Sequence, residues 1–240
     1  MPSLTVMLDA VAALRLAMHY STPDPVAAAL MAELAGADGI GFYLQEDLRY
    51  WQERDIRLLR QTVCSRLIML MAPTSEMVGN ALELKPERVI VMPEIQKERP
   101  QEIGLDLTGH GKVLYETVDT LKSNGISVGL CIQPEAHQAK LAHQLRADWA
   151  LIQAGELRAA NSPPTQHQAL TKLIDCIKMA HKLRLHVAVG RGLDHRLIKL
   201  FRGTTEIDEF LIGRDIFARA ILVGLDRAVQ EMLALIRSNA

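Results

Sequence analysis

A chain of 240 residues is long enough to bury one full α/β core. Its 27 basic and 28 acidic side chains leave a net charge of -1, so no electrostatic case exists for nucleic acid or an anionic membrane as partner. Three scattered cysteines make neither a disulfide framework nor a zinc pattern, and no apolar run approaches the roughly 20 residues of a membrane span. A cytoplasmic location is the expectation.

In chain order, short apolar runs of strand length alternate with longer stretches of helical period. The strands are expected at LTVMLDA (4–10), DGIGFYL (38–44), RLIMLMA (66–72), RVIVMP (88–93), SVGLCIQ (127–133), ADWALIQ (147–153), RLHVAVG (184–190) and EFLIG (209–213). A helix candidate follows each. The clearest lies in 167–183, where Leu170, Leu173, Ile174, Ile177 and Ala180 share a face. NSPPT at 161–165 reads as the loop ahead of that helix, with proline near the helix start. The last helix candidate sets Ile221, Leu225, Val229, Met232 and Ile236 on one stripe. No Pro/Gly/Ser linker divides the chain, so residues 1–240 are expected to form one domain. Eight βα units at this length match a closed (β/α)8 TIM barrel. A doubly wound open sheet is the alternative, and it more often carries fewer strands.

In such a barrel the chemistry sits at the C-terminal strand ends, and a phosphate site tends to follow strands seven and eight. Gly190-Arg191-Gly192 follows strand seven, and Ile212-Gly213-Arg214 follows strand eight and opens a helix. Glycines let backbone N–H groups approach an anion, and a helix N-terminus adds partial positive charge. Gly190, Arg191, Gly192, Gly213 and Arg214 are therefore the candidate phosphate or anion site. The same location admits a second reading, in which the two arginines close the barrel top against Asp9 or Glu94. Asp9, Tyr43 and Glu94, also at strand ends, are the candidate catalytic residues. The eight histidines show no HxH or HxxxH spacing, so no metal is expected, and no cofactor.

The stretches TPDPVAAALMAELAGADGI (22–40), LQEDLRYWQERDIRLLRQT (44–62), VMPE (91–94), GLDL (104–107), GRGL (190–193) and IGRDIFARAILVGLDRAV (212–229) resemble the pyridoxine 5'-phosphate synthase family over nearly the whole length. The resemblance implies a barrel of vitamin B6 biosynthesis. Its reaction joins a phosphorylated amino ketone to 1-deoxy-D-xylulose 5-phosphate, releasing phosphate and water. It also implies a homo-oligomer, with the helix of 25–35 as a candidate contact.

The family pattern is altered where protons would move. Its Asn-x-Asp-His after strand one reads Met7-Leu8-Asp9-Ala10. Its strand-two histidine and following arginine are Tyr43 and Gln45, and the histidine closing the acidic loop is Tyr50. Its glutamates on strands three and six are Leu70 and Leu151, and the strand-six histidine is Gln153. Its histidines after strands seven and eight are Arg191 and Arg214. Asp9, Arg15, Glu46, Asp47, Arg49, Pro93, Glu94, Gly190, Gly192 and Gly213 match the pattern. Arginine binds phosphate or carboxylate but cannot transfer protons near neutral pH. The expectation is a divergent member that binds a phosphorylated small molecule and has lost the ring closure. An active synthase, or an interaction partner of an active relative, are the alternatives.

Overall fold

The structure, a computed structural model, describes residues 1–48, 50–94 and 104–238. Arg49, one of the residues matching the family pattern, lies outside them. Eight parallel strands close on themselves in chain order. They are β1 (Ser3–Met7), β2 (Gly39–Tyr43), β3 (Arg66–Met71), β4 (Arg88–Val91), β5 (Ser127–Ile132), β6 (Trp149–Gln153), β7 (His186–Gly190) and β8 (Glu209–Ile212). Closure is made by β1 against β8, with Ser3 opposite Glu209 and Val6 opposite Ile212. The eight-stranded (β/α)8 TIM barrel read from the sequence is the fold.

The helices are α1 (Asp9–Met18), α2 (Pro25–Leu34), α3 (Glu53–Thr62), α4 (Ser75–Leu84), α5 (Gly111–Ser123), α6 (Ala136–Gln144), α7 (Gly155–Ala159), α8 (Pro163–Lys182), α9 (His195–Ile198), α10 (Arg214–Val223) and α11 (Leu225–Ser238). Helix α8 starts inside the stretch expected as a loop, so that only 161 and 162 of it precede the helix. Ser162 accepts from the Thr165 amide, and Pro163 holds the first helical position, where its missing N–H costs nothing. No helix of the described residues is long and apolar enough to cross a membrane.

Two sequence expectations change. The first strand stops at Met7, and Asp9 is the first residue of α1, where a carboxylate suits the positive helix end. The final helix is two helices. Gly224, at φ +87°, breaks the chain between α10 and α11. Ile221 therefore leaves the predicted stripe and is exposed, while Val229, Met232 and Ile236 stay buried.

Alternation within each strand separates two cores. One packs the helices against the outside of the barrel. The other fills the inside with Ile68, Leu70, Ile90, Met92, Cys131, Leu151, Ala188 and Leu211, among others. The N-terminal end of the barrel is closed by charge. Glu209 accepts from Arg88, from Thr5 Oγ1 at 2.8 Å and lies 3.2 Å from Arg66. The Arg88 guanidinium lies 3.4 Å over the Trp149 ring. With that end plugged, the opposite mouth is the open end.

Candidate functional site

A cavity of about 470 Å³ opens at the C-terminal mouth of the barrel. Met7, Leu70, Leu151 and Leu211 line it from within the barrel, and Asp9, Ala10, Tyr43, Gln45 and Tyr50 line it from the first two βα units. Arg158, Arg191, Gly192, Gly213 and Arg214 line it from the last three. Asp9 is the only acidic group among the described lining residues, against three arginines. The cavity is thus polarised, with cations beyond β6, β7 and β8 and one carboxyl opposite.

Asp9 is anchored by neutral donors. Its Oδ1 accepts from the Tyr43 amide at 2.8 Å and from the Trp51 indole at 3.3 Å. The expected pairing of Asp9 with Arg191 or Arg214 does not form. Both donors of Asp9 come from β2 and the loop after it, which hold the carboxyl to that side of the mouth. Burial pushes the Asp9 carboxyl up to about 6. The Tyr43 amide, the Trp51 indole and the Arg191 charge pull it back only in part.

Arg191 is built differently. It sits in left-handed backbone at φ +55°, and Gly192 follows at φ +132°. The Arg191 guanidinium places Nη1 3.7 Å from the Met92 sulfur, and its Nε is buried with no hydrogen-bond partner among the described residues. Among the described residues, no carboxylate lies within ion-pair distance of it. The reading in which Arg191 pairs with Glu94 therefore does not hold either. Glu94 is exposed and does not line the cavity.

Gly213 is required for packing. A Cβ there would sit 2.3 Å from the Met7 carbonyl oxygen. That close approach lets β8 turn directly into α10, whose start carries no side-chain cap. Its first N–H groups thus lie beside Arg214 at the cavity wall. Gly190 is held in the same way, because a Cβ would meet the Leu211 carbonyl at 2.9 Å. The glycines serve the turns first; Gly192 and Gly213 also line the cavity.

The Tyr43 hydroxyl donates to the Pro93 carbonyl at 3.3 Å, which ties β2 to the end of β4. Arg158 was missed by sequence reasoning. It lies on five-residue α7 with no glycine pair beside it, and its only signal was its position after β6. Its Nη1 is 3.7 Å from Asp194. Gln153 ends β6 fully buried, and neither atom of its amide has a partner among the described residues. Arg15 is held within the chain, bidentate on Asp55 at 3.0 and 2.5 Å.

The model of the family described as pyridoxal phosphate biosynthesis protein PdxJ matches residues 4–238. The chain belongs to the PdxJ family. It is 44% identical over 238 residues to the pyridoxine 5'-phosphate synthase of Desulforapulum autotrophicum, covering 99% of this chain and all of that one. It is 45% identical to that of a Geobacter species, with 99% of each chain covered. Among solved structures it is similar to KGPDC from Streptococcus mutans, at a TM-score of 0.65 and 13% identity, covering 99% and 98% of the two chains. It is likewise similar to N-(5'-phosphoribosyl)anthranilate isomerase from Pyrococcus furiosus, at 0.62 and 11%, covering 99% and 100%. At such identities those two likenesses concern the barrel fold alone.

Several of the residues singled out in the sequence meet at the mouth. Leu70 and Leu151 are buried in the barrel interior and line the cavity from within. Tyr43, Gln45, Tyr50, Arg191 and Arg214 line the same cavity.

Proposed function

We propose that this PdxJ-family barrel binds a phosphorylated small molecule at its mouth and does not carry out the ring closure. The observation that carries the reading is Arg191. It lines the cavity with no carboxylate within ion-pair distance among the described residues, beside Gly192, Gly213 and the start of α10. A dianion entering there meets charge-assisted donors already in place.

The loss of ring closure rests on chemistry. Condensation and dehydration need several proton transfers, each served by a group that titrates near neutrality. The leucines at 70 and 151 transfer none, and arginines at 191 and 214 stay charged. Asp9, raised to about 6, is the one carboxyl among the described lining residues suited to such work. One lost acid or base typically costs about 10²–10⁴-fold.

The test is calorimetric titration with pyridoxine 5'-phosphate and, separately, with pyridoxine. The phosphate ester should bind more tightly, and its advantage should shrink as salt is raised. Equal affinity for the two overturns the reading. A second reading, an active synthase, is favoured by one observation: relatives at 43–45% identity bear that name over nearly the full chain.

A further inference from the structure

Two residues outside the cavity join the loops that carry its arginines. The β7–β8 pairing ends at Gly190 opposite Leu211, so no strand ladder fixes the chain beyond it. Yet the loop there is held in a demanding shape, with Arg191 at φ +55° and Gly192 at φ +132°. A left-handed arginine persists only where surrounding contacts hold it.

The anchors follow at once. Asp194 caps α9, accepting from the amides of Arg196 at 2.9 Å and Leu197 at 2.7 Å. His195 then donates twice to one oxygen of Asp215. Its main-chain amide reaches Oδ2 at 3.0 Å, and its ring Nδ1 makes a second, short contact with the same atom. Asp215 is the second residue of α10 and directly follows Arg214. One carboxylate thus ties the loop bearing Arg191 to the helix bearing Arg214. The contact between Arg158 and Asp194 extends the tie to the loop after β6.

His195 and Asp215 do not line the cavity. They face a groove on the outer side with Arg219 and Glu231. The Nε2 of His195 is buried and has no partner among the described residues, so the ring is spent on Asp215. Nδ1 is then the proton-bearing nitrogen, assigned from this bond. Placed so, the pair cannot act on a ligand directly, but it can set where the cations stand.

We infer that His195 and Asp215 are positioning residues for the anion site, their clasp fixing the spacing of the Arg191 and Arg214 guanidinium groups. The inference rests on the anion-site reading above. It predicts that affinity for phosphate depends on a hydrogen bond that no ligand touches.

The experiment compares His195→Ala, Asp215→Ala, the double variant and His195→Asn, with pyridoxine 5'-phosphate and pyridoxine as probes and melting recorded in parallel. Asparagine keeps an N–H donor near the place of Nδ1. Each alanine variant should bind the phosphate ester about tenfold more weakly and leave pyridoxine unchanged. The double variant should be no worse than either single one, because both remove the same interaction. His195→Asn should restore most of the affinity, which a general loss of stability does not predict. Alanine variants that bind as the wild type does overturn the clasp while leaving the anion site standing. So does a folded His195→Asn that binds no better than His195→Ala. If the wild type shows no preference for the phosphate ester, the anion-site reading fails and the clasp fails with it. Should the alanine variants not fold, His195→Phe, which keeps a ring and removes the Nδ1 donor, decides: a folded variant that loses the phosphate preference supports the clasp, and one that binds as the wild type does overturns it.

Discussion

The Arg191 guanidinium rests against the sulfur of Met92, with Nη1 and Sδ 3.7 Å apart. Sulfur is a weak acceptor and satisfies little of a cation's hydrogen-bonding capacity. Asp9, the one acidic group among the described lining residues, accepts instead from the Tyr43 amide and the Trp51 indole. For Arg191, this arrangement supports the proposed anion site over a plug.

Replacing Arg191 by alanine should therefore weaken binding of pyridoxine 5'-phosphate by roughly 1.5–3 kcal/mol, the range for a charge-assisted hydrogen bond. Pyridoxine itself should bind unchanged. Melting temperature should hardly move, because no ion pair among the described residues is broken. A large stability loss with unaltered affinity would instead mark Arg191 as a plug.

Asp9 gives a pH dependence with a definite sign. Its native pKa, about 6, lies above the ordinary aspartate value. The folded state thus holds this proton more tightly than the unfolded chain does. Ionised Asp9 costs stability above pH 6, and the cost fades as pH falls from 6 toward 4. Asp9→Asn should stabilise the protein by up to about 3 kcal/mol at pH 8 and by about 1 kcal/mol at pH 4.5. Urea denaturation at the two pH values measures this. An equal gain at both contradicts the burial argument.

Glu209 supplies the contrast. It neutralises Arg88 and Arg66 at the closed end of the barrel, away from the cavity. Glu209→Gln should cost about 3–5 kcal/mol, since it leaves buried cationic charge uncompensated. Ligand affinity measured below the melting transition should stay as it was.

The barrel was legible because alternation within strands and helical periodicity between them are local signals. The position of Gly190-Arg191-Gly192 after β7 followed from that count alone. What the sequence hid was long-range. Asp9 meets Trp51 from 42 residues away, and His195 meets Asp215 from 20. No period or motif marks either contact. Glu94 was expected at the mouth because it follows a strand, but a strand end fixes only where the backbone arrives. The division of α10 from α11 did have a local signal, Gly224, which the continuous apolar stripe masked.

The helices α1, α2 and α10 expose Leu14, Met18, Leu34, Ile221 and Leu222. Leu34 and Leu222 are 87% and 77% exposed, an unfavourable amount of apolar surface for an isolated barrel. A homo-oligomer formed through this face is the expectation. Light scattering at micromolar concentration should give a multiple of the 26.6 kDa chain mass. Leu34→Glu should lower that multiple; a wild-type monomer contradicts the expectation.

The most direct measurement of binding without ring closure is turnover. Purified chain, free of host enzyme, is given the phosphorylated amino ketone and 1-deoxy-D-xylulose 5-phosphate, and pyridoxine 5'-phosphate is quantified beside the Desulforapulum autotrophicum relative. The account predicts a rate at least about a thousandfold below that relative, a conservative use of the loss per proton-transfer group. A rate comparable to the relative's would contradict it, and would mean that Asp9 and the arginines suffice for the reaction.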